Sequence, residues 1–247
     1  MPHAAPRLSL VIPAYNESAL LPRLLDSVSL ARARYRAGEG AVEVIVADNA
    51  STDATADLAR ERGCGVVRVE KRIIGAARNG GAKAARGELL AFIDADSQIH
   101  PETFNAIDAA LRDPRVAGGA TGVTLERWSL GLATTYALML PMLYLTGMDT
   151  GVVFCRRADF ERIGGYDERR AFAEDVVFLW ALKRLGRGRG QRLTRLRTTK
   201  AIASTRKFDR YGEWHYFTQM ARLGIGMLRN PDLVDDFVRR YWYSDRD

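Results

Sequence analysis

Four short apolar runs, separated by stretches of helical periodicity, constrain this chain more than any other feature. They cover 8–13, 42–47, 66–69 and 89–93. Runs of this length suit strands, and the last, over 89–93, reads as a buried strand of a sheet covered on both faces. After the first run, Leu20, Leu21, Leu24, Leu25 and Val28 recur at helical spacing, which predicts a helix over 19–34 with Ser18 placed to cap it. A Gly38-Glu39-Gly40 loop leads to the second run. Ser51 is placed to cap a helix over 52–62, which Gly63 and Gly65 close, and a third helix is predicted over 76–85. Pro101 suits the first turn of another. Strands alternating with helices build βαβ units on a mainly parallel sheet, so the fold class is α/β.

The first, second and fourth runs end in polar residues. Pro13-Ala-Tyr-Asn-Glu17 follows the first, Asp48 the second, and Asp94-Ala-Asp96 the fourth. Ligands of open α/β sheets bind at the C-terminal ends of the strands. In an extended segment Asp94 and Asp96 would point the same way. Two carboxylates at a strand mouth suit a hard divalent cation, Mg²⁺ or Mn²⁺. On these residues alone, Asp94 as a helix cap and Asp96 as a solvated turn residue stay open beside that reading. No G-x-G-x-x-G follows the first strand and no G-x-x-x-x-G-K-[ST] occurs, which argues against a dinucleotide-dependent dehydrogenase and a P-loop ATPase.

Beyond 115 the pattern predicts strands over 116–124 and 151–155. A short helix over 158–163 ends at Gly164-Gly165. A helix over 176–185 has Glu174-Asp175 at its start, a strand follows over 193–196, and an aromatic-rich helix over 208–228 precedes a short one opened by Pro231. Residues 128–148 carry no charge and are long enough to span a bilayer, but Gly131, Thr134, Thr135, Pro141, Thr146 and Gly147 interrupt them. A packed core helix or a helix lying on a membrane surface fits better than a span.

With 247 residues, 47% of them hydrophobic and 27% charged, the chain can bury a full core, and disorder is excluded. The net charge of +7 is uneven, with eleven Lys and Arg against Asp209 alone over 183–210. That excess suits phosphate groups or anionic lipid. Nucleic acid is not expected as a partner, since no zinc-finger spacing or RNP-like aromatic pattern accompanies it. Cys64 and Cys155 have no metal spacing and read as reduced packing residues. Residues 1–7 lack the layout of a signal peptide. The expected compartment is the cytoplasm, with peripheral contact at the inner face of the membrane left open.

Four motifs in order resemble a family 2 glycosyltransferase of the GT-A fold. They are Val11-Ile-Pro-Ala-Tyr-Asn-Glu17, Val46-Ala-Asp-Asn-Ala-Ser-Thr-Asp53, Gly75-Ala-Ala-Arg-Asn-Gly-Gly-Ala-Lys-Ala-Ala-Arg-Gly87 followed by Asp94-Ala-Asp96, and Gly164-Gly-Tyr-Asp-Glu168 followed by Glu174-Asp175. The resemblance implies a GT-A domain over 1–205, with a nucleotide-binding half to about 115, an acceptor half over 116–205, and a helical C-terminal extension over 206–247. It implies an inverting, metal-dependent transfer of one sugar from a nucleotide-diphosphate sugar to a glycan or lipid-linked acceptor. Asp48 would contact the base, with Pro13, Tyr15 and Glu17 walling the pocket. Arg78 and Lys83 would lie near the nucleotide and its diphosphate. Asp94 would face ribose and metal, and Asp96 would bind the metal. Asp175 would be the general base, with Glu174 beside it on the substrate side. Gly164 and Gly165 would let backbone approach the acceptor. The Gly-rich run around Arg78 is expected to admit a ligand.

The chain departs from the family pattern in two places. Ala50 stands where the family often has Gly. The processive synthases' Gln-x-x-Arg-Trp has only Gln219-Met-Ala-Arg222-Leu223 as a counterpart, which favours single addition. His215, among Arg206, Lys207 and Arg210, is a further candidate for diphosphate or metal. A binding protein that has lost catalysis and a sugar nucleotidyltransferase are the alternatives. Intact Asp94, Asp96 and Asp175 speak against the first, and Ala14-Tyr-Asn-Glu17 in place of a basic Gly-rich loop against the second.

Overall fold

The structure is a computed structural model that describes residues 5–134, 137, 151–170 and 174–212. Its strands are β1 (Leu8–Ala14), β2 (Val42–Asp48), β3 (Gly65–Arg68), β4 (Leu89–Phe92), β5 (Val116–Leu125), β6 (Val153–Arg156) and β7 (Arg192–Ala203). They form one sheet in the order β3-β2-β1-β4-β6-β5-β7. β1 pairs in parallel with β2 and β4, β2 with β3, and β5 with β7, while β6 runs antiparallel between β4 and β5. The α/β class and the mainly parallel sheet are as the sequence predicts. Strands from both halves of the chain share this sheet.

All seven residues of β1 are buried, and alternation divides them between two cores. Leu8, Leu10 and Ile12 face α1 (Leu21–Ala33) and α4 (Thr103–Arg112), where Leu21, Leu24, Phe104 and Ile107 meet them. Val11 faces the opposite side with Leu90 and Phe92, against α3 (Ile74–Ala84), α5 (Arg157–Ile163) and α6 (Glu174–Arg187). Covered faces explain why these strands read as unbroken apolar runs. β7 is longer than the 193–196 run suggests, because it is an edge strand whose outer side keeps Arg and Thr.

The helix starts differ from expectation. Ser18 does not cap α1: its N–H donates to Asp53 Oδ2 at 3.1 Å, and the helix begins at Leu21 with Pro22 in its first turn. Proline needs no partner for its nitrogen there and holds φ near the helical value. Ser51 does not cap α2 (Thr55–Glu61) either: its Oγ accepts the Asn16 N–H at 3.0 Å. Pro101 lies in a turn before α4. Gly38 leads into a 3₁₀ turn, Glu39–Ala41, rather than an open loop.

Of the helix expected over 208–228, the described part belongs to α7 (Arg206–Tyr211), which Gly212 follows at φ 83°. Residues 213–247, with His215, Gln219, Arg222 and Pro231, lie outside the described residues, as do 135–136 and 138–150 of the uncharged segment. No helix among the described residues is long and apolar enough to cross a membrane.

The glycines of α3 serve packing. A Cβ on Gly81 would stand 2.4 Å from Val11 Cγ1 and 3.3 Å from Ala47 Cβ, and one on Gly80 would stand 2.5 Å from Val69 Cγ2. At Gly80 and Gly81 the helix therefore packs directly on the side chains of Val11, Ala47 and Val69. Gly81→Ala tests this. Alanine gains up to about 1 kcal/mol of helix propensity. Overpacking against stiff Val11 costs about 1–3 kcal/mol. The expected net outcome is a lower denaturant midpoint at an unchanged slope.

Candidate active site

The loop at the end of β4 meets the start of α6 through Arg78. The β1 and β2 loops are laced together. Asn16, at φ 49°, accepts the Thr52 N–H on Oδ1 at 2.8 Å, and the Asn49 N–H donates to the Ala14 carbonyl at 2.7 Å. Asp48 is buried: Oδ1 accepts the Ser51 N–H at 3.1 Å and Oδ2 faces Arg68 Nη1 at 3.4 Å. Asn49 Nδ2 donates to the carbonyls of Val69 and Lys71 at 3.0 and 2.7 Å. Pro13 lies within β1 opposite Ala47. Tyr15 is buried, with the Arg72 guanidinium 4.7 Å above its ring. Ala50 holds φ 61°, the left-handed region, where a Cβ costs about 1–2 kcal/mol. The loop thus keeps a conformation that suits glycine and bears the strain.

Arg78, on α3, is the centre of the site. Its side chain is 3% exposed and lies 5.1 Å above the Tyr166 ring. Nη1 donates to Glu174 Oε1 at 2.8 Å and to Asp175 Oδ1 at 2.6 Å, and Nη2 donates to Asp94 Oδ1 at 2.8 Å. One buried cation therefore joins the β4 loop to the first turn of α6. Burial alone would lower the Arg78 pKa, but Asp175 and Asp94 hold it well above the ordinary value. Burial pushes the Asp175 carboxyl up to about 7; Arg78 opposes this, and Glu174 and Asp94 reinforce it. Beneath the cluster, Tyr166 stacks on Phe178 at 4.3 Å and Phe92 on Phe160 at 5.5 Å, which fixes α5 and α6 against β4.

Asp94 and Asp96 do not lie in an extended segment. They follow the end of β4 in a turn closed by the Ser97 N–H on the Asp94 carbonyl at 3.1 Å. The two side chains take different partners. Asp94 goes to Arg78, and Asp96 Oδ2 accepts from Arg206 Nη2 at 3.2 Å. Arg206, the first residue of α7, also forks onto buried Glu17 with both contacts at 3.0 Å. Arg206 is a site residue whose pairing no local pattern reveals, since Glu17 lies 189 positions away.

Two further expectations change. Lys83 is exposed in the last turn of α3. In a βαβ unit that turn lies at the opposite end of the sheet from the strand mouths, so Lys83 is not brought to the site. Gly165, at φ 73°, makes room for a side chain of this chain. A Cβ there would stand 2.6 Å from Asn79 Oδ1, which accepts the Tyr166 N–H at 2.8 Å, and Asn79 Nδ2 donates to the Tyr166 carbonyl at 2.9 Å. Asn79 thus ties the 165–168 loop to α3, one residue from Arg78. Gly164 holds φ 79° at the end of α5.

Among the described residues no group of three or more metal-ligating side chains occurs. The available donors are Asp96 and Asp94, whose side chains are 23% and 51% exposed. Two partly open carboxylates fit Mg²⁺ or Mn²⁺, which are commonly held by one or two carboxylates completed by substrate phosphates and water. They would not fit a metal that needs a full protein cage.

The sequence model of the family described as glycosyl transferase family 2 matches residues 9–187. Validoxylamine A glucosyltransferase of Streptomyces hygroscopicus subsp. limoneus is 38% identical over 118 residues, covering 45% of this chain and 25% of that protein. The chain spans about a quarter to a third of the length of most of the curated relatives it matches. Among solved structures, S. aureus TarS 1-349 in complex with UDP-GlcNAc aligns with a TM-score of 0.60 at 20% identity, over 81% of this chain and 58% of that one. Mannosyltransferase PcManGT from Pyrobaculum calidifontis, in complex with GDP-Man and Mn²⁺, aligns with a TM-score of 0.62 at 23% identity, over 81% and 57%. At these identities the structural likeness establishes the fold.

Removing the central cation tests its role. Arg78→Met leaves three carboxylates facing one another, and breaking a buried pair in this way costs about 3–5 kcal/mol. Asp175 already holds its proton up to about pH 7 and would hold it more firmly without Arg78. A carboxylate with a raised folded pKa contributes stability at low pH that is lost as pH rises. The destabilisation, read from denaturant melts, is therefore expected to be largest at pH 8 and to shrink towards pH 5.

Proposed function

This chain belongs to glycosyl transferase family 2, and on that footing we propose that it moves one sugar from a nucleotide-diphosphate sugar to a glycan or lipid-linked acceptor, inverting the anomeric centre. The observation that carries this reading is Asp175. It sits at the start of α6, bound to Arg78 beside the β4 loop, with its carboxyl pushed up to about 7. A base with that proton affinity suits proton abstraction from a hydroxyl near neutral pH.

In this reading the β1 and β2 loops form the nucleotide side. Asp48 and Tyr15 wall the base pocket, and buried Glu17 is held by Arg206 at its edge. Asp94, still half exposed while bound to Arg78, faces the ribose and the sugar. Mg²⁺ or Mn²⁺ on Asp96, with Asp94 beside it, would neutralise the charge that grows on the departing nucleoside diphosphate. Asp175 takes the acceptor proton. Glu174 shares the Arg78 Nη1 group with it and so fixes its position. A single base, with no second carboxylate assigned as a nucleophile, is consistent with direct displacement. The nucleotide half to about 115, the acceptor half over 116–205 and the extension from 206 follow this division of labour. The GDP-Man and Mn²⁺ in the PcManGT structure are in keeping with the donor class and the cation.

The site also bears on topology. Asp94 and Asp175 bind the same guanidinium. Residues 128–148 lie between them in sequence, so a single bilayer crossing there would separate two groups that touch one residue. We place both in the cytoplasm, with any membrane contact peripheral.

Thermal-shift titration against UDP-, GDP- and dTDP-sugars with Mn²⁺ identifies the donor, because a ligand that binds only folded protein raises the melting temperature. With that donor, wild-type turnover should rise about tenfold per pH unit below pH 7 and level off above it, as Asp175 loses its proton. Asp175→Asn should retain the thermal shift and lose both the turnover and the pH dependence. An unchanged profile in the variant would reassign the base. Asp96→Ala, and wild type in EDTA, should each lose turnover by several orders of magnitude. Full activity in EDTA would remove the metal from the mechanism.

A further inference from the structure

The ends of β1 and β4 each contribute a carboxylate to one guanidinium, and the two are not held alike. Glu17, with its side chain 2% exposed, receives a two-pronged pair from Arg206 Nη1 and Nη2, both at 3.0 Å. Asp96, 23% exposed, shares Nη2 through one contact at 3.2 Å. Bidentate charge-assisted pairs are the stronger and more geometrically fixed kind. The backbone beneath Arg206 is anchored as well. The Thr205 N–H and Oγ donate to Glu126 Oε1 at 3.0 and 3.1 Å, and Glu126 Oε2 accepts from Arg23 at 2.7 Å. The Nη2 to Asp96 contact can therefore change while the Glu17 fork and the Thr205 anchor stay in place.

We propose that Arg206 is the resident counter-ion of Asp96, which releases that carboxylate to a divalent cation only when a nucleotide diphosphate arrives with it. The proposal rests on reading Asp96 as the metal-facing acid. A divalent cation entering alone would sit beside the guanidinium and be repelled by it, and it would also have to break the existing ion pair. A diphosphate reverses both effects, because its charge offsets the repulsion and its oxygens offer Nη2 a new acceptor. Arg206 keeps Glu17 throughout, so the nucleotide pocket wall does not move. Metal and donor are thus made to bind together, and Arg206 acts as a positioning residue through Asp96.

The test is Mn²⁺ binding to the full chain without nucleotide, read from the electron paramagnetic resonance signal of free Mn²⁺. Arg206→Met should bind Mn²⁺ about tenfold or more tightly than wild type, and Arg206→Lys should fall between them. Adding Asp96→Asn should abolish the gain. Since Arg206→Met alone leaves Glu17 buried and unpaired, Glu17→Gln/Arg206→Met is measured beside it, with circular dichroism melts to confirm folding. A merely structural Arg206 would lower the melting temperature and leave Mn²⁺ affinity where it was. Equal affinities in wild type and both Arg206→Met proteins would overturn the proposal. A second arm adds UDP or GDP. If wild type with nucleotide holds Mn²⁺ and the variants show no gain without it, the Arg206 role alone fails. If no form retains Mn²⁺ beyond what the nucleotide itself holds, the metal reading fails and this proposal with it.

Discussion

A guanidinium with 3% of its surface exposed, bound to three carboxylates, is the interaction on which the rest of this structure depends. Burying such an ion costs several kcal/mol unless its hydrogens are met by well-placed acceptors. The acceptors come from different parts of the chain: Asp94 from the β4 loop, Glu174 and Asp175 from the first turn of α6. Their convergence needs α3 close to the sheet, which Gly80 and Gly81 permit, and α6 fixed over β4, which the Phe92, Phe160, Tyr166 and Phe178 rings enforce. Asn79 adds the third constraint by holding the 165–168 loop to the same helix. Backbone packing, aromatic packing and charge therefore agree on a single position for α3.

Among the described residues the two ion clusters hold more carboxylates than arginines. Arg78 faces Asp94, Glu174 and Asp175, while Arg206 faces Glu17 and Asp96. Carboxylates outnumber these two arginines, and part of the excess is relieved by the proton that Asp175 keeps up to about pH 7. The excess that suits a base is unfavourable to a diphosphate, since like charges at short range in a partly desolvated cleft repel strongly. The nucleotide-diphosphate donor proposed for this cleft would therefore meet less repulsion in the company of cations.

Much of this was legible in the sequence, for reasons that identify what was not. β1, β2 and β4 announced themselves because strands covered on both faces carry no polar alternation, and the acids at their ends followed from strand polarity. β7 was cut short because an edge strand mixes Arg and Thr into the pattern. Ser18 and Ser51 look like caps from local spacing, yet Ser18's N–H donates to the β2 loop and Ser51's hydroxyl accepts from the β1 loop, which no local rule sees. The glycines of 75–87 signalled a close approach, and at Gly80 and Gly81 the approaching groups are Val69 and Val11. Lys83 shares a motif with Arg78 and lies at the other end of the helix.

The Asp-x-Asp pair shows how a local rule can fail while the chemistry survives. Period-two alternation would have set Asp94 and Asp96 side by side, but β4 ends at Phe92 and the chain turns. The turn gives each carboxylate its own arginine, one rooted in α3 and the other in α7. Asp94 is thereby coupled to Asp175 through Arg78, and Asp96 to Glu17 through Arg206. The turn thus divides two neighbouring acids between two cations. Residue 95, the buried alanine between them, keeps both anchored to the core beneath.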